Sequence, residues 1–440
     1  MYVKLEILCL SIQKGLILVA ITAPRGTADI LSPDILKWKY IENKIADISM
    51  RFGYSEIRTP VFEHTELFER GVGDTTDVVQ KEMYTFNDKG GRSITLRPEG
   101  TASVARAFLE HNIYAQPLPA KLCYNITCYR YEKPQAGRLR EFHQFGAECY
   151  GTSEPCVDAE VISLAKTILT ELGIKKLNLN INSIGCPSCR KKYNEALKDY
   201  FRPYIEDGTL CQTCRDRFEK NPLRILDCKS PVCGEIADKA PVLLDYICEE
   251  CHNHFEEVKK HLEAMGISYN VDGTIVRGLD YYTKTVFEFK TALQGTAGTV
   301  CGGGRYDGLI EELGGASTPG IGFAMGIERL ILALEEADAL PVLENAPDIF
   351  VANIGDETKL FVTALTDKLR KEGIKCERDL CGRSLKAQMK YADKCGARFS
   401  MVIGTDEAEK KTAMLKNMKE KAQTEVSLEN LDELIKIVKE

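Results

Sequence analysis

Two extended segments joined by a short loop constrain the fold of this chain more than any other feature. They span residues 121–130 and 140–150, and residues 132–137 between them have the composition of a hairpin loop. Side chains alternate between the two faces of a strand, so five positions of the second segment share one face. They are Arg140, Phe142, Gln144, Gly146 and Glu148. This mostly polar face fits either the floor of a ligand site or the solvated side of an antiparallel pair.

The length of the chain requires more than one hydrophobic core, because 440 residues exceed what a single core supports. Residues 182–269 carry paired cysteines, many charges and helical patches, which predicts an inserted, mostly helical subdomain. The flanking sequence, at 23–181 and 270–340, alternates strand-like and helical segments and is predicted to form the main core.

A separate small domain is predicted at residues 347–440, after Pro341 and Pro347. Three strand-like segments with helical segments between them lie at 349–354, 374–378 and 399–403. This βαβαβ pattern is typical of an α/β domain with a parallel sheet.

Composition limits the classes of partner and compartment. The formal net charge is −7, so any nucleic-acid contact must come from local basic patches. Residues 5–21 are apolar, but Glu6 and Lys14 divide them into runs too short to span a bilayer. We interpret residues 1–22 as an extension without a membrane role. The chain lacks a secretory signature, so its 17 cysteines are expected to be reduced thiols or metal ligands.

Eight of the cysteines form four close pairs inside the predicted insertion. The pairs are Cys186/Cys189, Cys211/Cys214, Cys228/Cys233 and Cys248/Cys251. Thiolates at C-x-x-C spacing suit Zn²⁺, and four pairs can build two tetrahedral Cys₄ sites of a structural kind. The alternative is a set of small buried thiols.

The hairpin also carries side chains suited to a nucleotide. Arg130 and Glu132 share one face, and Arg138 and Arg140 can point into the same space from across the loop. Guanidinium groups bind phosphate oxygens in a bidentate manner, and Phe142 offers a flat surface for a base. The alternative is a surface hairpin with solvated charges.

Two glycine-rich stretches add further candidates. In TPGIGFAMGIERLIL, Arg329 lies in the first helical turn, where a cation is unfavourable. A role as a second stacking surface for an adenine would explain an arginine at this position. The alternative is an exposed side chain at a packed turn. In VRGLDYYTKTVFEF, Arg277 can reach a cleft, and Tyr281 and Tyr282 are predicted to point to opposite strand faces. The glycines of CGGGRYDGL fit a flexible turn and are weak support for phosphate binding.

Together these motifs resemble the histidyl-tRNA synthetase family, within the second class of aminoacyl-tRNA synthetases. Three class motifs occur in order: the segment ending at Pro60, the hairpin at 129–148, and residues 322–330. RGLDYYT, GGRYDGL and PRGTADI are similar to motifs of the histidine enzymes in particular. The resemblance covers the chain from Ala23 to its carboxyl end.

The resemblance implies an α+β catalytic domain with an antiparallel sheet, the helical insertion, and an α/β anticodon-binding domain. It implies a cytoplasmic homodimer that activates L-histidine with ATP and Mg²⁺ to histidyl-adenylate and pyrophosphate, then transfers histidine to the 3′ end of tRNA(His). Two residues would be catalytic, Arg277 and Arg130. Histidine would be bound by Glu99, Gly100, Thr101, Arg130, Gln144, Glu148, Arg277, Tyr281 and Tyr282. ATP would be bound by Arg130, Glu132, Arg138, Phe142 and Arg329.

Contacts to tRNA are expected in both domains. Gln135 and Arg140 of the hairpin would approach the acceptor end. Lys386 and Lys390, with Lys394 one turn further on, form a basic stripe that can neutralise phosphates or simply be a solvated helix face.

Two other functions compete with this interpretation. A regulatory paralogue would bind histidine without aminoacylation, but such proteins typically lack the anticodon-binding domain and the Arg277 motif. A ligase for glycine, proline or threonine would share the carboxyl-terminal domain, but RGLDYYT and the Gln144/Glu148 pair argue against it.

Overall fold

The computed structural model describes residues 21–73, 76–226, 228, 230–275, 277–291 and 298–439, so most of the predicted 1–22 extension lies outside the described residues. The chain divides after Pro341 into two compact units. Among the described residues, no helix has the length and unbroken apolar run that crossing a bilayer would take.

An eight-stranded sheet forms the centre of the first unit, in the order β1-β5-β6-β11-β10-β9-β7-β8. Its strands are β1 (Ser55–Glu56), β5 (Ala120–Tyr129), β6 (Glu141–Tyr150), β7 (Asn178–Ser183), β8 (Asn270–Val271), β9 (Thr283–Lys290), β10 (Thr299–Arg305) and β11 (Gly320–Gly326). The two outermost pairings are parallel and the others are antiparallel. The predicted hairpin is confirmed, with Ala120 opposite Tyr150 and Tyr129 opposite Glu141.

A smaller sheet in the order β2-β4-β3 lies in the same unit. Its strands are β2 (Phe62–His64), β3 (Tyr84–Asn87) and β4 (Ser93–Leu96). The helices of the unit are α1 (Asp34–Arg51), α2 (Thr65–Val72), α3 (Thr101–Glu110), α4 (Pro155–Glu171), α5 (Pro187–Glu206), α6 (Gln212–Lys220), α7 (Pro231–Ala237), α8 (Glu249–Ala264), α9 (Leu309–Glu312) and α10 (Ile327–Glu336).

Helices cover the large sheet through apolar stripes at helical spacing. Trp38, Ile41, Ile45 and Ile48 are the buried face of α1. They join one core with buried residues of α4, α8 and the central strands. Helix α8 lies within the predicted 182–269 segment and contributes Phe255 to this core.

A buried charge network ties α4, α8 and β10 together. Asp158 of α4 pairs with Arg305 of β10 at 2.5 Å between Oδ2 and Nη2, and both side chains are fully buried. His254 of α8 places Nε2 at 3.1 Å from the other carboxylate oxygen. Burial alone would raise the pKa of Asp158. The charge of the Arg305 guanidinium acts against burial and, together with His254, holds this pKa below its ordinary value.

The second unit has a five-stranded sheet in the order β13-β12-β14-β15-β16. Its elements are β12 (Ile349–Asn353), α11 (Lys359–Lys371), β13 (Cys376–Arg378), α12 (Leu385–Lys394), β14 (Phe399–Ile403), α13 (Thr405–Lys410), β15 (Thr412–Asn417), β16 (Gln423–Ser427) and α14 (Asp432–Lys439). The predicted parallel βαβαβ arrangement of the first three strands is confirmed. The antiparallel pair β15/β16 was not predicted, because its apolar alternation is carried by few positions, such as Ala413, Leu415 and Val426.

Candidate active site

A cavity above the middle of the large sheet gathers most of the predicted site residues. Those that line it are Glu99, Thr101, Arg130, Glu132, Arg138, Phe142, Gln144, Arg277, Tyr281, Tyr282 and Arg329. They come from β6, the hairpin loop, the start of α3, the segment before β9 and the first turn of α10. A cavity with convergent polar groups from several elements is the usual form of a small-molecule site.

The hairpin supplies one charged wall of this cavity. Arg130 Nε donates to the carbonyl oxygen of Pro98 at 2.8 Å, and its guanidinium lies 5.3 Å from the Phe142 ring centroid. Arg138 Nη1 lies 3.2 Å from Glu132 Oε2, while its buried Nε has no partner among the described residues. The wall therefore offers fixed guanidinium groups with unused donor capacity.

Arg329 adds a further cation to this cavity, next to the hairpin loop. Its Nη1 donates to the carbonyl of Thr299 at 3.1 Å and its Nε to that of Gly137 at 3.2 Å. Burial lowers the pKa of Arg329. The nearby charges of Arg138, Arg130 and Arg277 lower this pKa too, and the charge of Glu132 acts against them. Several cations crowded into a partly buried space favour an anionic ligand.

Arg277 lies flat on strand β10. It is ion-paired with Glu288 of β9, and its guanidinium is 5.8 Å from the Tyr282 ring centroid. A Cβ atom on Gly302 would come within 2.2 Å of Arg277 Nη2, so only glycine leaves room for this side chain. The buried Nε of Arg277 has no partner in the part of the chain that the structure describes.

The glycine run Gly302–Gly304, for which a flexible turn was the alternative to phosphate binding, forms part of a strand. All three residues are buried in β10 between β9 and β11. Gly303 packs directly on the backbone of β11, because a Cβ there would meet the Gly322 carbonyl oxygen at 2.2 Å. The glycines thus allow close strand packing beneath Arg277.

Glu148 lies beneath the cavity floor and is fully buried. Its carboxylate accepts hydrogen bonds from Thr101 Oγ1 at 2.7 Å, from the Tyr124 hydroxyl at 2.9 Å, and from the Tyr306 hydroxyl. Burial raises the pKa of Glu148 to about 8, although these hydroxyl groups act in the opposite direction. The carboxyl group is therefore poised to exchange a proton near neutral pH.

Glu99 orients the loop that leads into α3. Its two carboxylate oxygens accept the backbone N–H groups of Thr101 and Ala102, each at 2.8 Å. Gly100, predicted to bind histidine, does not line the cavity; it is the N-cap residue of α3 and packs against the Tyr124 ring. Burial raises the pKa of Glu99, and the two backbone N–H groups act against it.

Tyr281 and Tyr282 were expected to point to opposite strand faces, and this is wrong. Both are buried and both line the cavity, with ring centroids 4.7 Å apart. They lie in a bend that precedes β9, where the alternation of an extended strand does not apply. Tyr306 completes this aromatic wall, 5.5 Å from Tyr281.

Sequence reasoning missed the roles of Tyr124, Tyr306 and Glu288. Tyr306 belongs to the GGRYDGL motif, so its position there was the available signal. Glu288 likewise lies in the VRGLDYYTKTVFEF segment. Tyr124 had no such signal, because its contact with Glu148 depends on the pairing of β5 with β6.

The predicted tRNA-contact residues lie outside the cavity. The Arg140 guanidinium stacks 3.9 Å from the Tyr131 ring centroid, and Gln135 pairs with Arg138 through the backbone of the hairpin loop. In the second unit, Lys386, Lys390 and Lys394 are exposed on α12. The helix that the lysine spacing required is therefore present.

The eight cysteines of the insertion form two clusters, each with four sulfur atoms within 4.8 Å of one another. We call Cys186, Cys189, Cys248 and Cys251 the neck cluster, because they flank the beginning of α5 and of α8. We call Cys211, Cys214, Cys228 and Cys233 the outer cluster. The Sγ atoms of Cys189 and Cys251 are 4.0 Å apart, although 62 positions separate them in the chain.

Comparisons with known proteins identify the family of this chain. The family model described as histidyl-tRNA synthetase matches residues 26–187 and 233–330, and the anticodon binding domain model matches 348–437. The histidine–tRNA ligase of Acetivibrio thermocellus is 57% identical over 94% of this chain and 99% of its own length. That of Caldanaerobacter subterraneus subsp. tengcongensis is 56% identical, over 94% and 99%.

Solved structures give the same result. Apo histidyl-tRNA synthetase of S. aureus aligns with a TM-score of 0.81 and 42% identity, covering 96% of this chain and all of its own. A Bacillus halodurans structure, named as an ATP phosphoribosyltransferase regulatory subunit/histidyl-tRNA synthetase, aligns at 0.60 and 21% identity over 88% and 98%, which shows a shared fold alone. The chain belongs to the histidyl-tRNA synthetase family.

Proposed function

We propose that the chain is a histidine–tRNA ligase that activates L-histidine with ATP and transfers it to the 3′ end of tRNA(His). The observation that carries the proposal is the cavity itself. Arginine side chains line one wall of the cavity, and the buried carboxyl group of Glu148 lies beneath its floor of strands. The 57% identity to a histidine–tRNA ligase over nearly the full length supports it.

In the first step the histidine carboxylate attacks the α-phosphorus of ATP. A new P–O bond forms, the bond to the β-phosphate oxygen breaks, and pyrophosphate leaves. Arg130 and Arg277 contact the α-phosphate and the carboxylate, and stabilise the charge that grows on the phosphate oxygens. The unpartnered Nε of Arg277 supports this role, because it is a buried donor that a ligand can satisfy.

The imidazole ring of histidine contacts Glu148, Gln144 and Tyr282. Thr101 and Tyr306 both line the cavity and both donate to Glu148, which supports a contact between that carboxyl group and the ring. With its pKa near 8, Glu148 can give a proton to an imidazole nitrogen and form a charge-assisted hydrogen bond.

The adenine of ATP lies between Phe142 and Arg329, and Arg138 contacts its phosphates. Mg²⁺ normally takes one or two protein carboxylates besides phosphate oxygens. Glu132 lines the cavity and could supply such a carboxylate. Bound with the nucleotide, Mg²⁺ supplies charge neutralisation at the phosphates.

In the second step the terminal hydroxyl of tRNA attacks the acyl carbon of histidyl-adenylate, the ester bond to histidine forms, and AMP leaves. Gln135 and Arg140, at the mouth of the hairpin, contact the acceptor end. No covalent intermediate with the enzyme is required, so positioning and electrostatics supply the catalysis.

Amino-acid-dependent exchange of pyrophosphate into ATP tests the ligase function. We expect exchange with histidine and with no other amino acid. Folded protein that binds histidine yet supports no exchange would contradict the ligase and favour a regulatory role.

Removing the basic stripe of α12 should weaken tRNA binding without affecting histidine activation. We expect the Lys386→Ala/Lys390→Ala double variant to raise the KM for tRNA about tenfold and to lower the salt dependence of binding, since each lysine neutralises a phosphate. Aminoacylation at several salt concentrations measures this, with Lys368→Ala/Lys371→Ala on α11 as the matched control. An unchanged KM and salt slope would mean that the stripe is only solvated.

We propose a homodimer that buries the small sheet and its surroundings. Val61, Phe62, Tyr114 and Leu118 are large apolar side chains with 42–56% of their surface exposed in the single chain. We expect light scattering to give the mass of two chains for the wild type and a lower mass for Phe62→Asp. Leu360→Asp, at an 82% exposed position in the second unit, is the control and should remain dimeric. A monomeric wild type would contradict the dimer.

We also propose that the two cysteine clusters hold structural zinc.

We propose further that the chain acts in the cytoplasm. The described cysteines are all free thiols, which suits a reducing compartment.

A further inference from the structure

The outer cluster has the dimensions of a metal site. In a tetrahedral Zn(Cys)₄ site with Zn–S bonds of about 2.3 Å, the sulfur atoms are about 3.8 Å apart. The Sγ atoms of Cys211 and Cys228 are 3.8 Å apart, well beyond the length of a disulfide bond, about 2.05 Å. The backbone N–H of Cys211 also donates to the sulfur of Cys233 at 3.4 Å, which is favourable for a thiolate.

The chain between the outer cysteines needs such support, because it has little core of its own. Helix α6 has nine residues, and only Cys214 and Phe218 are buried in it. The 3₁₀ turn Pro222–Ile225 follows and is fixed to α6 by Arg217 Nη1, which donates to the Arg224 carbonyl oxygen at 2.9 Å. Short helices are marginal in water, and the free energy of metal binding then contributes directly to folding.

This turn contacts the active site through Arg224. Its Nη2 donates to the Gly278 carbonyl oxygen at 2.7 Å and lies 3.0 Å from Asp280 Oδ1. Asn221, at the start of the same turn, places Nδ2 at 3.4 Å from that oxygen. Gly278 follows Arg277 directly, and Asp280 precedes Tyr281, so the contacts fall between the groups that line the cavity.

We propose that zinc bound by the outer cluster positions Arg224, and that Arg224 in turn holds the Gly278–Asp280 segment so that Arg277 and Tyr282 face the substrates. Arg224 is a positioning residue, because it contacts the segment and not the reacting atoms. The inference rests on the proposed ligase activity and deepens the proposed zinc occupancy, since it makes a structural metal a requirement for the geometry of the first step.

Metal analysis of protein purified without chelator tests the site. We expect two zinc atoms per chain in the wild type and in Cys156→Ser, which removes an exposed cysteine outside both clusters. Cys214→Ser should retain one zinc atom, and Cys214→His, which keeps a zinc ligand, should regain the second. Wild-type protein without zinc would overturn the inference.

Pyrophosphate exchange tests the positioning role. We expect Cys214→Ser and Arg224→Ala each to lower kcat on the order of 10- to 100-fold, as for a small misplacement of catalytic groups. Arg224→Ala should keep both zinc atoms, the double variant should lose little more than either single one, and Cys214→His should recover activity. Arg215→Ala is the matched control. The Arg215 guanidinium donates to the carbonyl oxygens of Leu210 and Gly208, so its hydrogen bonds stay within the insertion, and the variant should leave kcat unchanged.

Hydrogen–deuterium exchange gives a readout that does not depend on activity. Peptides covering Gly278–Tyr282 should take up deuterium faster in Cys214→Ser and in Arg224→Ala than in Arg215→Ala. If Cys214→Ser lost one zinc atom but kept its kcat and its deuterium uptake, the positioning role would be overturned, whereas the assignment of zinc to the outer cluster would stand. A zinc-loaded wild type without histidine-dependent exchange would contradict the ligase function alone, and the deuterium comparison would still decide the coupling.

Discussion

Replacing Arg277 with alanine should reduce histidine-dependent pyrophosphate exchange on the order of 100- to 1000-fold, the usual effect of removing one preorganised group that stabilises transition-state charge. The guanidinium is held on β10 by Glu288, by the Tyr282 ring and by the space that Gly302 leaves. Most of the loss should fall on kcat, because the interaction strengthens as the α-phosphate is attacked.

Two further variants make this result specific. Arg277→Lys keeps the charge but not the planar fork, so it should recover only a small part of the rate. Arg92→Ala removes a largely exposed arginine that is ion-paired with Asp88, and should leave exchange and thermal unfolding unchanged. If Arg277→Ala kept near wild-type kcat with intact folding, the assignment of Arg277 to the first step would be wrong.

The Glu148→Gln variant should lower kcat/KM for histidine on the order of 100- to 1000-fold, chiefly through KM. The substitution removes a charge-assisted partner of the imidazole and puts an amide donor among hydroxyl donors from Thr101, Tyr124 and Tyr306. Steady-state exchange at varied histidine and fixed ATP measures this, and KM for ATP should stay nearly constant. If the variant instead lost affinity for ATP alone, the assignment of Glu148 to histidine binding would be contradicted.

The same variant should change how stability depends on pH. The pKa of Glu148 is about 8 in the folded chain and near its ordinary value of 4.5 when unfolded, so the folded state holds a proton that the unfolded state has lost between these values. This group therefore makes the free energy of unfolding fall as pH rises from about 4.5 to about 8. Glu148→Gln should flatten that dependence in urea denaturation at pH 5 and pH 8, whereas an unchanged slope would contradict the raised pKa.

The sequence predicted the parts of the fold that depend on local pattern. The β5/β6 hairpin and the first three strands of the second unit have clear period-two or alternating helical signals, and the structure places them within about two residues of the prediction. The common face of Gln144 and Glu148 was predicted by the same arithmetic, although burial places the two side chains at different depths.

The features that could not be predicted depend on tertiary packing. Gly302–Gly304 has the composition of a turn, yet it forms a buried strand. Arg277 and β11 occupy the space that side chains at these positions would fill. Tyr281 and Tyr282 face one cavity because the backbone bends before β9. The cysteine spacing indicated four half-sites, but only the fold shows which pairs meet, and the pairing within the neck cluster joins opposite ends of the insertion.

The neck cluster has a consequence for how this region can vary between proteins. Because Cys189 and Cys251 meet at 4.0 Å, the central domain is joined to the insertion through two chain ends that lie side by side. The entropy of closing such an excursion grows only slowly with its length, about 0.6 kcal/mol per doubling. The closure entropy therefore sets little limit on exchanges that lengthen or shorten the chain beyond the neck, provided that Tyr193, Leu197 and Phe201 keep their places in the core that they share with the sheet. The rate of histidine activation then becomes the quantity that such exchanges tune.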